Sequence, residues 1–367
     1  MKKESLATKR ARERGYFENG PEWYCDFRTS EVKGIGYEEN INRRDPSAVI
    51  EVDGIYYTYY TRNVGPHVGF GTGDDDAKVW PWDRSDLWYA TSKDGYTWVE
   101  EGPAVERGQA GSYDDRSVFT PEVMAHEGKY YLVYQCVQHP YLRRSFNTVG
   151  MAVADSPKGP FVKLDAPILE AAKDGEWEGD TDNNLLIKKR GSFDSHKVHD
   201  PVLFFFKNKF YLYYKGEPMG EQMFMGGRET KWGVAIADKP EGPYVKSEYN
   251  PISNGGHETF LWPYKDGMAA LLSTDGMERN TFQYAKDGIN FEIMGAIKWV
   301  PEASGPHREA SDSDPHCGCK WCLCHHLDKD WNYISRFDYD RGQVNYFTEK
   351  REFKLDNSWD DIMDSEQ

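Results

Sequence analysis

From residue 43 to residue 340 the chain alternates between two patterns of hydrophobic and polar positions. The first opens on a polar head with a proline, runs through an apolar stretch, turns on a few polar residues and returns rich in tyrosine. It reads RRDPSAVIEVDGIYYTYYT (43–61), FTPEVMAHEGKYYLVYQ (119–135) and VHDPVLFFFKNKFYLYYKG (198–216). GHETFLWPYKDGMAALLS (256–273) repeats it without the proline, and DPHCGCKWCLCHHLDKDWNYISRFDY (314–339) is a looser copy. The second pattern reads LWYATSKDGYTWVEEGPAV (87–105), GMAVADSPKGPFVKLDAPIL (150–169), WGVAIADKPEGPYVKSEYNPI (232–252) and TFQYAKDGINFEIMGAI (281–297). Each is a strand, a tight Asp-Gly or Pro-x-Gly-Pro turn, and a second strand.

Two successive hairpins make a four-stranded antiparallel unit, and about five such units fit this span. Repetition of that kind predicts an all-β fold, a five-bladed β-propeller, with PEWYCDF (21–27) as the outer strand that closes the last blade. Ahead of it, SLATKRARER combines helix formers with basic residues and predicts a short helical arm. The expected division is an N-terminal helical arm over 1–20, a propeller over 21–345 and a polar, acidic tail over 346–367.

Composition narrows the partners. Aromatics reach 15%, with 24 Tyr and 12 Trp, which suits strands and ligand platforms. The net charge of −16 argues against nucleic acid or an anionic membrane and favours a neutral ligand. No run of 18 apolar residues is present, so no membrane-spanning helix is expected. MKKESLATKRARERGY lacks the apolar region of a secretion signal, so the expected location is cytoplasmic, or periplasmic had a leader been removed.

In a propeller the heads of the repeats converge on the axis although they lie far apart in sequence. The heads supply Asp45, Glu122, Asp200 and the neighbours His257 and Glu258, titratable groups that would shift one another's pKa values. A lone Asp-Pro reads as a turn start, but its recurrence at Asp200-Pro201 points to a site. Thr120, Glu122 and His199 are candidates for holding a ligand. Trp82, Trp88, Trp177 and Trp262 are candidates for stacking on a sugar, Trp82 and Trp177 foremost. Glu122 also has a plainer reading as the partner of an arginine such as Arg116. In HCGCKWCLCHH, a single extended strand would put Cys317 and Cys319 on one face and Cys322 and Cys324 on the other. That arrangement favours small core residues over a four-thiolate metal site. A metal held by one cysteine pair with His316, His325 or His326 is the alternative.

SLATKRARERGY, RRDPSAVIEVDGIYY, FGTGD, DDRSVFTPEV, YYLVYQ, GEWEGD, KVHDPVL and GGHETFLWPY, taken in order, resemble glycoside hydrolase family 117, the α-1,3-(3,6-anhydro)-L-galactosidases. The resemblance runs from about residue 5 to 300 and implies a five-bladed propeller. Its implied activity is release of 3,6-anhydro-L-galactose from the non-reducing end of agar-derived neoagaro-oligosaccharides, with inversion. It further implies Asp45 as general base, Asp200 as the residue that tunes the acid, His257 as general acid and Glu258 as its essential acidic neighbour. Glu258 is expected to keep His257 protonated. Ser5, Ala7 and Arg10 match an arm motif associated with homodimers, which implies that the arm swaps onto a second subunit. No cofactor is required, although some members hold a divalent cation near the active centre. The cysteine-rich stretch is not part of the family pattern. Two other readings remain: a family 43-like arabinofuranosidase or xylosidase with its acid on Glu217, and a non-catalytic sugar-binding propeller.

Overall fold

The computed structural model describes residues 3–13, 17–224, 227–303, 305–340 and 351–352. Apart from Arg351–Glu352, which pairs with Phe17–Glu18, the expected tail over 346–367 lies outside the described residues. The described chain is nearly all β, with one α-helix, Leu6–Glu13.

The strands form antiparallel units in chain order. The first contains Ile41–Arg44 and Ile50–Val52, both paired with Ile55–Val64, then Asp86–Ser92 and Trp98–Val105. Ser117–His126, Lys129–Val137, Asn147–Ala154 and Val162–Lys163 make the second. Lys197–Phe206, Lys209–Glu217, Lys231–Ala237 and Val245–Lys246 make the third, joined to the second by a single parallel pairing, Asn147 with Lys197. The fourth is Leu261–Tyr264, Gly267–Leu272, Thr281–Ala285 and Glu292–Ala296. The last contains Gly305–Pro306, Trp321–His326 and Tyr333–Asp340, with Asp26–Glu31 from the N-terminal side as its outer strand. A closing strand is present but displaced: it shares only Asp26 and Phe27 with the expected 21–27, because Pro21–Trp23 winds into a 3-10 turn.

Neighbouring units share cores in cyclic order. Tyr59 and Leu87 of the first pack with Leu132 and Tyr134 of the second, and Met151 and Val133 of the second with Leu203 and Leu212 of the third. Tyr213 and Trp232 of the third meet Met268 and Leu272 of the fourth. Trp262 and Phe282 of the fourth meet Phe337 and the cysteines of the last, which in turn packs Leu323 and Ile334 against Tyr60 and Trp98 of the first. Inner strands are thus covered on both faces over most of their length, which explains the run YLYY (211–214) where a half-exposed strand would alternate; in LFFF (203–206) the cover ends at Phe205, which is exposed.

The polar heads share a backbone device. Asp45, Thr120 and Asp200 each precede a proline and each have positive φ (52°, 48° and 46°). Proline cannot donate to a ladder, and the register shifts across Phe119/Pro121 and His199/Val202. The true counterpart of Asp45 in the second unit is therefore Thr120, with Glu122 two residues farther along the strand.

The cysteine stretch is not one strand. Residues 316–319 form a turn, in which Cys319 N donates to His316 O at 2.9 Å, and the strand starts at Trp321. Cys317, Cys319, Cys322 and Cys324 are buried with Cys25 in one apolar core. His316 is held by Trp23 O, 2.8 Å from its Nε2. Among the described residues no group of three or more His, Cys, Asp or Glu side chains is placed to hold a metal ion.

Candidate active site

A cleft of about 890 Å³ opens over the converging heads. Asp45, Thr120, Asp200 and Glu258 line both this cleft and a small space of about 30 Å³ at the centre of the ring, so they form the floor between the two. Three of the four are heads of inner strands, and the fourth follows the loop Gly255-Gly256-His257. Each is backed by a polar residue on, or one residue past, the second strand of a unit. Thr61 Oγ1 donates to Asp45 Oδ2 (3.1 Å) and accepts from Thr120 N (2.8 Å). Lys215 Nζ lies 2.5 Å from Asp200 Oδ2, and Ser273 Oγ accepts from Glu258 N at 3.2 Å.

Asp45 is buried, a penalty on its charge, yet Arg44 Nε at 3.0 Å and His325 Nδ1 at 3.1 Å overcome that penalty. They hold its carboxyl well below the usual carboxylate range. Glu258 goes the other way: burial, then repulsion from Asp200 and Asp45, push its carboxyl well above the ordinary range against the pull of Lys215. Two carboxyls on one floor are thus driven to opposite charge states.

His257 departs from expectation. Burial and Lys215 lower its pKa, and the group that favours its charged form is chiefly Asp275, whose Oδ2 lies 2.5 Å from Nδ1. Glu258 Oε1 is 3.6 Å from Nε2. Because Glu258 is itself held neutral, it cannot supply the charge expected to keep the imidazole protonated. The proton is favoured on the Glu258 carboxyl, whose Oε1 sits just beyond hydrogen-bond reach of the ring. Asp275 fixes the ring by taking Nδ1–H, which leaves Nε2 to the cleft.

Beside this floor lies a dense ion cluster. Glu217 receives Lys197 Nζ (2.8 Å) and Arg228 Nη2 (2.5 Å), with His196 Nδ1 at 3.0 Å and His199 Nε2 at 3.2 Å. Burial opposes its charge, but these neighbours hold Glu217 well below the ordinary range. His199 lines the cleft; burial lowers its pKa to about 4, so it is neutral, with Gln135 Nε2 2.9 Å from Nδ1.

The remaining sequence candidates separate. Trp82 lines the cleft, with Arg44 over its ring at 4.6 Å and Trp80 stacked on it at 4.9 Å and 8°. Trp80, 37% exposed, is the neighbouring ring that presents itself to solvent. Trp177 does not line the cleft: Arg144 covers it at 4.9 Å and its ring meets His196 edge-on at 5.0 Å. Trp88 is taken by Arg62 at 3.9 Å, and Trp262 is wholly buried with its Nε1 donating to Pro315 O. Glu122 faces the small central space, where it accepts from Arg308 Nη1 (2.6 Å) and Ala48 N (2.8 Å). Arg116 pairs instead with Asp83 at 2.7 Å. Arg43 reaches away to Glu100 and Glu38.

Sequence reasoning missed Asp275, Lys215 and Arg228, and named His325 only as an alternative metal ligand, whereas it lies against Asp45. Lys215 alone left a signal, as a buried cation closing the apolar run YLYYK.

Comparisons with known proteins place this arrangement. The sequence profile of glycosyl hydrolases family 43 matches residues 40–179. No curated protein matches. Among solved structures, the GH43_1 enzyme from Xanthomonas citri is 14% identical, with TM-score 0.53 over 84% of this chain and 89% of its own. CoXyl43, a GH43 β-xylosidase/α-arabinofuranosidase from a compost microbial metagenome, is 17% identical, with TM-score 0.52 over 90% and 98%. Both share the fold alone. The protein is a glycoside hydrolase. Zg3597, a family 117 glycoside hydrolase produced by the marine bacterium Zobellia galactanivorans, is 37% identical over 87% of this chain and 91% of its own, with TM-score 0.70. The protein belongs to glycoside hydrolase family 117.

Proposed function

We propose that the protein is a five-bladed β-propeller that removes 3,6-anhydro-L-galactose from the non-reducing end of neoagarobiose and longer neoagaro-oligosaccharides, with inversion. The observation that carries this reading is the opposed charging of the floor: Asp45 held ionised, Glu258 held protonated beside an oriented His257. Asp45 takes a proton from a water molecule as the water oxygen bonds to the anomeric carbon. The glycosidic C–O bond breaks on the other side, and the leaving oxygen takes the proton delivered by His257 with Glu258 behind it. Asp200, beside Lys215 and Glu258, keeps the Glu258 proton in place and faces the developing positive charge on the sugar. Arg44 and Lys215 already neutralise the carboxylates that a divalent cation would need, so no step runs through a metal.

The family 43 profile favours a second reading, with the acid on Glu217. Four cationic or hydrogen-bonding partners hold that carboxylate charged, which suits anchoring the ion cluster and not proton donation.

Incubation with neoagarobiose, followed by proton NMR, tests the proposal. Free 3,6-anhydro-L-galactose is expected, first in the anomeric form opposite to that of the substrate. Intact neoagarobiose alongside cleaved aryl arabinosides would sink it, and binding without cleavage would identify a sugar-binding propeller.

The exposed ring of Trp80 makes it the platform for sugars beyond the cleaved bond. Trp80→Ala is expected to raise KM for neoagarotetraose by roughly 2- to 12-fold, the equivalent of about 0.5–1.5 kcal/mol of ring stacking. Neoagarobiose should be affected less, and equal effects on both would refute the assignment.

Ser5, Ala7 and Arg10 dock here on their own chain. We propose that the same groove accepts the arm of a second copy in a homodimer, since an arm exchanged between identical chains makes identical contacts. A cytoplasmic location is proposed with it.

A further inference from the structure

The helix Leu6–Glu13 grips the two loops that hold the His257–Asp275 contact. Ser5 Oγ donates to Pro251 O at 2.6 Å, at the start of the segment leading to His257. Arg10 forks onto Glu278, with Nε to Oε1 and Nη2 to Oε2 both 2.8 Å, and its Nη1 donates to Phe291 O at 2.8 Å. Glu278 is wholly buried, three residues after Asp275, and its backbone N donates to Asn254 O at 3.2 Å. The same two loops touch again where Gly256 N donates to Asp275 O at 2.7 Å.

Neither loop is held by a β-ladder at this point, since residues 253–260 and 273–280 lie outside the strands. Gly255, Gly256 and Gly276 adopt φ of +135°, +98° and +84°, and a Cβ on Gly276 would meet Gly255 Cα at 2.5 Å. The spacing of the loops therefore depends on specific bonds. Arg228 N also donates to Asp275 Oδ1 at 3.0 Å, Trp232 Nε1 to Gly256 O at 3.2 Å and Glu258 N to Ser273 Oγ at 3.2 Å. The Arg10–Glu278 fork is the ion pair that ties the second loop to the arm.

We infer that the arm is a positioning device for the proton donor, with Arg10 acting through Glu278 to hold the loop of Asp275 against the loop of His257. The inference rests on the reading of His257 as donor. Without Arg10 the buried Glu278 carboxylate loses its ion-pair partner and keeps only the Gln283 Nε2 hydrogen bond at 3.0 Å and the more distant charge of Lys231, and the loops relax apart to admit water or a proton. A donor displaced by about 1 Å loses much of its rate advantage while the sugar still binds. The arm would then serve both assembly and chemistry.

The test uses the full chain with Arg10→Ala and Arg10→Lys, reading kcat, KM, thermal melting, oligomeric state and the titration of the His257 ring by NMR. Arg10→Ala is expected to lower kcat by about tenfold or more with KM little changed. The His257 midpoint should fall, because a loosened Asp275 favours the charged ring less. Arg10→Lys, which keeps the charge but not the fork, should lie between wild type and Arg10→Ala. A folded Arg10→Ala with an unmoved His257 titration overturns the inference, whatever happens to dimerisation or to kcat. If Arg10→Ala does not fold, an unmoved titration in Arg10→Lys overturns it equally. The titration needs no substrate, so it still decides if wild type releases no anhydrogalactose, an outcome that would instead refute the proposed function.

Discussion

Asp45→Asn is expected to reduce turnover of neoagarobiose by about 10³-fold or more while the protein stays folded and still binds the sugar. The side chain keeps its shape but loses its ability to take a proton, a contribution of typically 10²–10⁴-fold for a positioned base. Buried Arg44 also loses its counter-charge, so the melting temperature should fall, while asparagine tolerates the positive φ of 52° and the backbone has no reason to move. Calorimetric binding of neoagarobiose, measured beside product release by NMR, checks both halves. Turnover within tenfold of wild type would remove Asp45 from the base role. The pH profile gives a companion signature. A base must be ionised to work, and Arg44 with His325 keeps Asp45 ionised far into acid. The acid limb usual for a carboxylate base should be missing from kcat/KM. The rate should fall only as rising pH strips the proton from the Glu258–His257 pair.

The second large effect separates the two candidate acids. His257→Ala should cost about 10²–10⁴-fold on neoagarobiose, whose leaving group needs a proton, and far less on an aryl glycoside of the anhydro sugar, whose leaving group does not. Glu217→Gln should lower both substrates together. It leaves half-buried Lys197 without its carboxylate and Arg228 with Glu221 alone, a defect in structure that a better leaving group cannot repair. Rescue of Glu217→Gln, and not of His257→Ala, by the aryl substrate would transfer the acid role to Glu217.

Asp45 and Asp200 were legible in the sequence because one backbone device, a left-handed residue before proline, delivers both, and its residue types recur in the chain. The same device misled at the second unit. Glu122 looked like the head because it is acidic, whereas the register at Pro121 makes Thr120 the head and sends Glu122 to Arg308. Trp262 could not be told from a ligand platform, since strands covered on both faces lose the alternation that would mark a core residue. Asp275 and Arg228, and the place of His325 beside Asp45, were invisible for another reason. They reach the floor from loops or from other units, and no spacing in the chain records such a meeting. The cysteines were read as core residues, and they are, but on a turn and a strand instead of one strand.

The pairing of Asp26–Glu31 with Tyr333–Asp340 carries a consequence for biosynthesis. The outer strand leaves the ribosome early and waits for its partner about 300 residues later, so the last sheet is completed only after residue 340 has emerged. Until then Cys25 and the four thiols of the last unit, all buried in the finished protein, stay within reach of solvent and of one another. A reducing surrounding during synthesis would keep them from cross-linking prematurely, so the completion of the last sheet and the thiol chemistry of the chain converge on the same seam.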